Sequence, residues 1–457
     1  MKSHLREPAY PDDPSPMAGP ADPPGLPGPF RRSFWRSPVR GPWLTSVLGL
    51  ALLVSIPVLF GTGLLSYAAY NPGLSPLNDE TPGKGLLGFY LFSWPTHPIW
   101  LYRVTQGTHV TLGLTLVPIL LFKLWSVLPK LFEWPPARSL AHALERGSLF
   151  LLVGGAVFEF ATGILNIQTW YPFPTSFYTM HLYGAWVFAA GFVVHVAIKL
   201  PVMTRALRSR GFWRELRTNL AHTRPEPPDA GYLAPVAPAI PTISRRGVLV
   251  FAGAGSALVA LLSVGQSLGG PLRRTALLAP HDQPVSGPDA GLAGDFQVNN
   301  TARNAGIAAA ETGESWRLTL GTGSQFGTVG QTSKGAAVLS RADLLRMEQH
   351  TASLPIACVE GWSTDNQTWT GVRLRDLAVR AGVTSPSAVL VQSLQHHGGF
   401  SKAVLSAEQI MDPDSLLALR VNGADLSLDH GYPARVIVPD NPGVHNTKWV
   451  ASLTFGT

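Results

Sequence analysis

The chain has one cysteine in 457 residues, and only 14% of its side chains are charged. A single cysteine, Cys358, excludes an intramolecular disulfide and any paired-cysteine motif, so disulfide usage says nothing of the compartment. Sparse charge beside 46% hydrophobic residues excludes an ordinary soluble composition and points to membrane segments. An internal repeat and a phosphate-binding Walker loop are also missing, as is a short charged-then-apolar signal peptide at the start. The net charge of +7 would suit nucleic acid, but the basic residues cluster near Arg31–Arg40 and between Arg205 and Arg246, beside apolar runs. Such a loop-charge bias orients membrane segments, so lipid is the expected partner and nucleic acid is not.

What is there falls into blocks. Residues 1–42, rich in Pro and Gly, read as a disordered tail. Four apolar runs follow, Trp43–Tyr70, Trp100–Leu128, Gly147–Ile167 and Tyr178–Leu200, each near or above the roughly 20 residues of a spanning helix. They make residues 43–204 an all-α membrane four-helix bundle, with Pro57 and Pro118 inside its helices. Residues 205–243 form a basic cytoplasmic linker, and 244–270 a fifth transmembrane segment. Its Ser244-Arg245-Arg246 start resembles a twin-arginine export signal; the alternative is an ordinary positive-inside anchor. The basic loops put the N-terminus in the cytoplasm and everything after the fifth segment outside, in a multi-pass protein of a bacterial cell membrane. After a linker, 271–294, residues 295–457 take on the composition of a soluble domain. There "WRLTL", "AVLVQSL" and "ARVIVP" read as strands and "RADLLRME" and "LRDLAVRAG" as short helices, a mixed α+β domain.

Ionisable residues inside membrane helices are costly and mark function. His109 lies in the second run, His181 and His195 in the fourth, and His142 just before the third. His181 and His195 are 14 residues apart, nearly on one face and about 21 Å apart along a helix. With antiparallel neighbours, His109 meets His181 in the outer leaflet and His142 lies level with His195 in the inner one. Two imidazoles at one depth suit a b-type haem, and the pattern resembles diheme cytochrome b membrane domains, implying two haems. Polar helix–helix contacts are the alternative for these histidines.

Cys358 can be read from its neighbours as a buried small hydrophobe, a nucleophile partnered by His396 or His397, or a soft-metal ligand. The segments "CVEGWS" with "W.GV.L.DL…AG" after it, then "LALRVNG", "DHGYPARVIVP" and "TKWV", resemble in order the molybdopterin-dependent oxidoreductases of the sulfite oxidase fold. The resemblance covers roughly residues 295–457. It implies that Cys358 is the protein's sulfur ligand to molybdenum and the catalytic residue. It further implies cofactor contacts at Asn299, Ala302 and Arg303 in "FQVNNTARNAG", at Ser393, at His430 and Arg435, and at Asn446, Thr447 and Lys448. A dianionic phosphate suits Arg435 and Lys448.

Departures narrow this expectation. Val359-Glu360-Gly361 follows the cysteine where many sulfite oxidases carry basic residues, and Ala302-Arg303 stands where some reductases have Tyr-Glu. No room is expected for an immunoglobulin-like dimerisation domain. These departures speak against sulfite, and the reading is a fused enzyme oxidising or reducing a small molecule outside the membrane, exchanging electrons through haem with quinone or another membrane carrier. Two alternatives stay open: a non-catalytic binding or sensory domain on a haem-containing anchor, and an anchored cysteine hydrolase.

Overall fold

A computed structural model describes residues 25, 27–79, 92–168, 172–174, 176–227, 233–278, 296–298, 300–323 and 334–456. Four long helices come first: α1 (Pro42–Ala69), α2 (Leu101–Leu131), α3 (Leu140–Ile167) and α4 (Phe177–Ser209). The short α5 (Phe212–Arg217) precedes α6 (Arg245–Leu261) and α7 (Gly265–Leu268). Among the described residues five helical stretches are long and apolar enough to cross a membrane, the fifth being Arg245–Leu268. Their outward faces stay apolar, with Val54, Leu121, Phe150 and Val193 exposed, as lipid-facing positions require. Pro57 sits inside α1 and Pro201 inside α4.

The C-terminal domain has two sheets. Its elements are α8 (Ala302–Ala305), α9 (Ala309–Thr312), β1 (Arg317–Gly323), β2 (Lys334–Ser340), α10 (Arg341–Arg346), β3 (His350–Leu354), β4 (Gln367–Arg373), α11 (Leu374–Arg380), β5 (Ala388–Ser393), β6 (Lys402–Ser406), α12 (Ala407–Met411), β7 (Leu416–Val421), β8 (Ala424–Asp425), β9 (Arg435–Ile437) and β10 (Val450–Gly456). One sheet runs β2-β1-β10-β5-β6, and the other β3-β4-β7-β8 with β9 also on β7. All pairings are antiparallel except β1 with β10, where Thr319 faces Ser452. The segments read as strands coincide with β1, β5 and β9, and those read as helices with α10 and α11. Strand alternation buries Leu318, Leu320, Val389, Val391, Leu417, Val436 and Leu453 in one core shared by both sheets and α11. A second cluster, with Leu354, Ile356, Cys358, Trp362, Trp369 and Ile437, lies under the loop after β3.

The chain divides into two compact units whose boundaries cut across the helices rather than following the expected domain ends. The first holds Met1–Ala51, Leu120–Phe150 and His195–Ala252; the second holds Leu52–Ile119, Leu151–Val194 and Gly253–Thr457. In the first, the tail expected to be disordered to residue 42 carries 3-10 turns at Gly28–Phe30 and Arg32–Phe34. Phe30 packs edge-on against Phe132 and Trp134, and Arg40 lies over Trp35 and Trp125. Aromatic anchors outweigh the tail's Pro- and Gly-rich composition. Arg245 is buried there, 2.7 Å from Glu226 and 3.6 Å from Glu215, so half of the arginine pair sits in an ion-pair network.

In the second unit the C-terminal domain is bonded to helix ends. Asp440 accepts the Tyr102 N–H at 2.7 Å at the start of α2 and the Trp94 indole N–H at 2.8 Å. A carboxylate here satisfies a helix donor that has no partner within its own helix. Burial pushes the Asp440 carboxyl up to about 7, against those two hydrogen bonds. Asn78 exchanges hydrogen bonds with the Val404 backbone and its carbonyl meets His445 Nε2 at 2.7 Å.

Candidate functional site

Cys358 lies in the irregular segment between β3 and β4. The segment closes on itself: Ile356 N–H donates to Thr364 Oγ1, Thr364 N–H to the Ile356 carbonyl, and Cys358 N–H to the Trp362 carbonyl at 2.9 Å. The Gly443 N–H holds it from the other side, on the Ala357 carbonyl at 2.7 Å. The thiol is 3% exposed. Burial, and then the Glu360 carboxylate, push it well above its ordinary range. A thiol in that state is a poor free nucleophile and needs a metal or cation to become a thiolate. The histidines considered as its partners lie elsewhere: His396 Nε2 pairs with Glu311 at 2.8 Å, and His397 packs against Gly306.

Two cations share the neighbourhood. Arg435, at the start of β9, is buried; its Nε donates to the Asn446 carbonyl at 3.1 Å, a second nitrogen to the His430 carbonyl at 3.3 Å, and its guanidinium lies 5.6 Å from the Trp369 ring centre. Lys448 Nζ donates to the Asn300 carbonyl at 2.5 Å and the Asp429 carbonyl at 2.9 Å, over the Trp449 ring. Burial lowers Arg435 to about 10, with Cys358 opposing. Burial and then Arg435 lower Lys448 to about 7, with Asp429 and Cys358 opposing. Among the described residues neither cation forms an ion pair with a carboxylate. In the loop with Cys358, the buried Trp362 indole N–H has no hydrogen-bond partner among the described residues. Leaving two cations buried on carbonyls alone costs several kcal/mol unless an anion offsets it (~3–5 kcal/mol for a broken buried pair).

The remaining expected contacts surround this pair unevenly. His430 is locked between Ser427 Oγ (2.8 Å) and the Phe296 carbonyl (2.9 Å). Ser393 Oγ donates to the Lys448 carbonyl at 2.7 Å. Asn446 Oδ1 accepts the Val438 N–H at 3.0 Å, and Thr447 Oγ1 lies 3.4 Å from the His445 carbonyl. Ala302 N–H donates to Asp429 at 2.7 Å, while Arg303 on α8 is exposed. Asn299 lies outside the described residues. Sequence reasoning missed Asp429, Trp369 and Trp362; only the fold brings Asp429 to Lys448, Trp369 to Arg435 and the Trp362 carbonyl to Cys358.

A second polar constellation lies among the helices of the same unit. The His109 and His181 rings face each other with centres 6.3 Å apart and planes at 82°. His109 Nδ1 is taken by the Leu59 carbonyl at 2.9 Å, and His181 Nδ1 by Glu159 and Thr162 at 3.2 Å each. Both rings line an apolar cavity together with Phe60, Leu114, Phe177 and Phe188. Gly63 and Gly163 stand against the two rings, and a Cβ on Gly63 would lie 3.0 Å from His109. Glu159 was also missed, although it is the one carboxylate in the third apolar run. The other expected pair is not brought together in this way. His142, in the first turn of α3, accepts the Arg138 N–H at 3.2 Å and lies 4.0 Å from Glu133. His195 lies near Lys123, Lys199 and Glu145 and makes no ring contact with His142.

Against known proteins, residues 308–457 match the family described as the oxidoreductase molybdopterin binding domain. The C-terminal domain is of the molybdopterin-binding oxidoreductase type. An uncharacterized oxidoreductase of Bacillus subtilis, YuiH, is 30% identical over 118 residues, 26% of this chain and 58% of that protein. Sulfite oxidase of Arabidopsis thaliana is 32% identical over 110 residues, 20% of this chain and 28% of that protein. The solved structure of the sulfane dehydrogenase SoxCD from Paracoccus pantotrophus aligns at 25% identity with a TM-score of 0.27, over 31% of this chain and 38% of that one. The chain thus spans less than two thirds of the relatives it matches. The family match lies in the C-terminal domain. Its donor set, one buried sulfur beside two buried cations lacking carboxylate partners and an unsatisfied indole N–H, fits a molybdenum-bearing, phosphate-bearing pterin.

Proposed function

We propose that this protein is a membrane-anchored molybdenum oxidoreductase that passes electrons between a small molecule outside the membrane and a haem within it. The observation that carries the reading is the buried sulfur of Cys358 in the electrostatic reach of Arg435 and Lys448, two buried cations that form no ion pair with a carboxylate among the described residues. Cys358 would hold the metal, Arg435 and Lys448 the phosphate end, and Ser393, His430 and Asn446 would fix the backbone that carries those two cations. Asn299 and Thr447 complete the proposed contacts. The bound group supplies two-electron oxidation or oxygen-atom transfer. The chain's own residues bury the sulfur, compensate the charge and exclude water. The Glu360 carboxylate beside Cys358 disfavours a free oxyanion such as sulfite as substrate.

The haem belongs to His109 and His181. Two metal–imidazole bonds of about 2 Å each, with the half-widths of two rings, come to about 6 Å, near the observed centre separation of 6.3 Å. Both Nδ1 atoms are occupied, which orients each Nε2 as a ligand. Electrons would leave this site to quinone or another membrane carrier. His195 with His142 would need a rearrangement of the α3 start to form a second site, so one haem is proposed. Molybdenum analysis and a pyridine-haemochrome assay of the purified protein and of Cys358→Ala test the whole reading. Molybdenum and one haem are expected in the parent, with molybdenum-dependent activity lost and haem retained in the variant. Absence of molybdenum from the parent would leave an anchored binding domain instead.

A further inference from the structure

The loop that carries Cys358 rests on the turn of α2 that carries His109. Val359, next to Cys358, lines the same cavity as His109 and His181. Its carbonyl accepts a buried hydrogen bond from Gln106 Nε2 at 2.5 Å, and Gln106 precedes His109 by three residues, less than one helical turn. The approach leaves no slack. Gly361 has φ +86°, and a Cβ there would lie 2.7 Å from Val110; a Cβ on Gly107 would lie 2.6 Å from Ser267. Ser267 Oγ in turn donates to the Gly361 carbonyl at 2.6 Å. A seam with no room for a methyl group has none for water. Gln106 is 3% exposed, and its Oε1 has no hydrogen-bond partner among the described residues. A buried amide oxygen left unmet calls for an explanation, and the amide nitrogen bonds to the residue beside the cysteine.

We infer that this seam is the electron route between the two sites, with Gln106 as the positioning residue that couples them; the inference rests on the function proposed above. Cys358 would hold the group that is oxidised by one electron, and His109 and His181 would hold the group that is reduced by one. No bond breaks and no proton moves on the bridge, and a quinone later takes the electron. Transfer through bonded atoms outruns transfer across a gap, so a hydrogen bond joining the two backbones at this point shortens the effective path. The competing route is aromatic: Phe177 stacks on His181 at 4.9 Å and leads to Tyr178 and Tyr70.

Laser-flash photolysis, with a photoreduced flavin as electron donor, reads the equilibration between the two sites through the haem absorbance. In Gln106→Leu the rate is expected to fall on the order of tenfold, with molybdenum content, haem content and both reduction potentials unchanged. Should Gln106→Leu lose a cofactor, Gln106→Asn, which draws the amide back by one methylene, is read in its place. An unchanged rate in a fully loaded variant overturns the inference, as does a fall in Tyr178→Leu alone, which assigns transfer to the aromatic route. A parent protein lacking molybdenum or haem fails the proposed function instead, before any rate is read.

Discussion

Cys358, buried, and His109, part-buried, are both polar ligand candidates in one compact unit, yet they are held in opposite ways. The cysteine sits in irregular backbone whose every turn needs its own hydrogen bond, from Thr364, Trp362 and Gly443. The histidine sits on a regular helix that satisfies its own backbone, so one hydrogen bond from Nδ1 to the Leu59 carbonyl aims the ring. Irregular backbone can bring a sulfur, two cations and an indole together from three stretches of chain. A helix can present a ligand at a chosen depth but gathers few partners. The loop suits a large polar cofactor, and the helix pair suits a flat, apolar one held at its metal.

Substitutions can separate the two sites. The largest effect is expected from Cys358→Ser, which should lower turnover about a thousandfold or more while the haem spectrum stays; loss of both signals would show that the sites do not fold independently of one another's ligands. His181→Ala should abolish the haemochrome signal with molybdenum content unchanged, measured by metal analysis on the same sample. Next, Arg435→Gln should weaken retention of the molybdenum group by about ten- to a hundredfold, the worth of one charge-assisted hydrogen bond of about 1.5–3 kcal/mol. It is read as molybdenum per protein after gel filtration.

A smaller effect concerns pH. Lys448 is held near 7 in the folded protein against 10.5 in an ordinary environment. Between those values the unfolded chain binds the extra proton, so the stability of protein made without molybdenum cofactor should rise with pH across that window and level off below about 7. A bound phosphate restores the lysine's charge, so loaded protein should lack this rise; denaturation midpoints at pH 7 and pH 9 check both. The smallest change is Asp440→Asn, which weakens the helix-start contact and should cost about 1 kcal/mol of thermal stability in detergent.

Much of the framework was legible before any coordinates. Apolar runs long enough to span a bilayer became α1 to α4, and alternating runs became β1, β5 and β9, because both signals are local and periodic. The meeting of His109 and His181 was legible for the same reason: helix rise converts residue spacing into depth. His142 was harder. The third helix begins at Leu140, earlier than its apolar run, and the first turn carries a histidine whose partners, Arg138 and Glu133, come from the preceding connection. The packed segment from Gly28 onward was likewise hidden, since composition does not reveal where Phe30 and Trp35 find aromatic neighbours.

By itself the sequence determined the long apolar helices, the strands β1, β5 and β9 and the helices α10 and α11, and which residue types could bind metal. Those properties depend on local period, length and side-chain chemistry. Tertiary structure alone decided that Asp440 meets α2, that Glu159 reaches His181 and that Gln106 touches the residue after Cys358. The Asp440 and Gln106 contacts join residues more than two hundred positions apart, and no periodicity specifies them. They follow from how closely two surfaces approach, which at this seam is set by the missing side chains of Gly107 and Gly361.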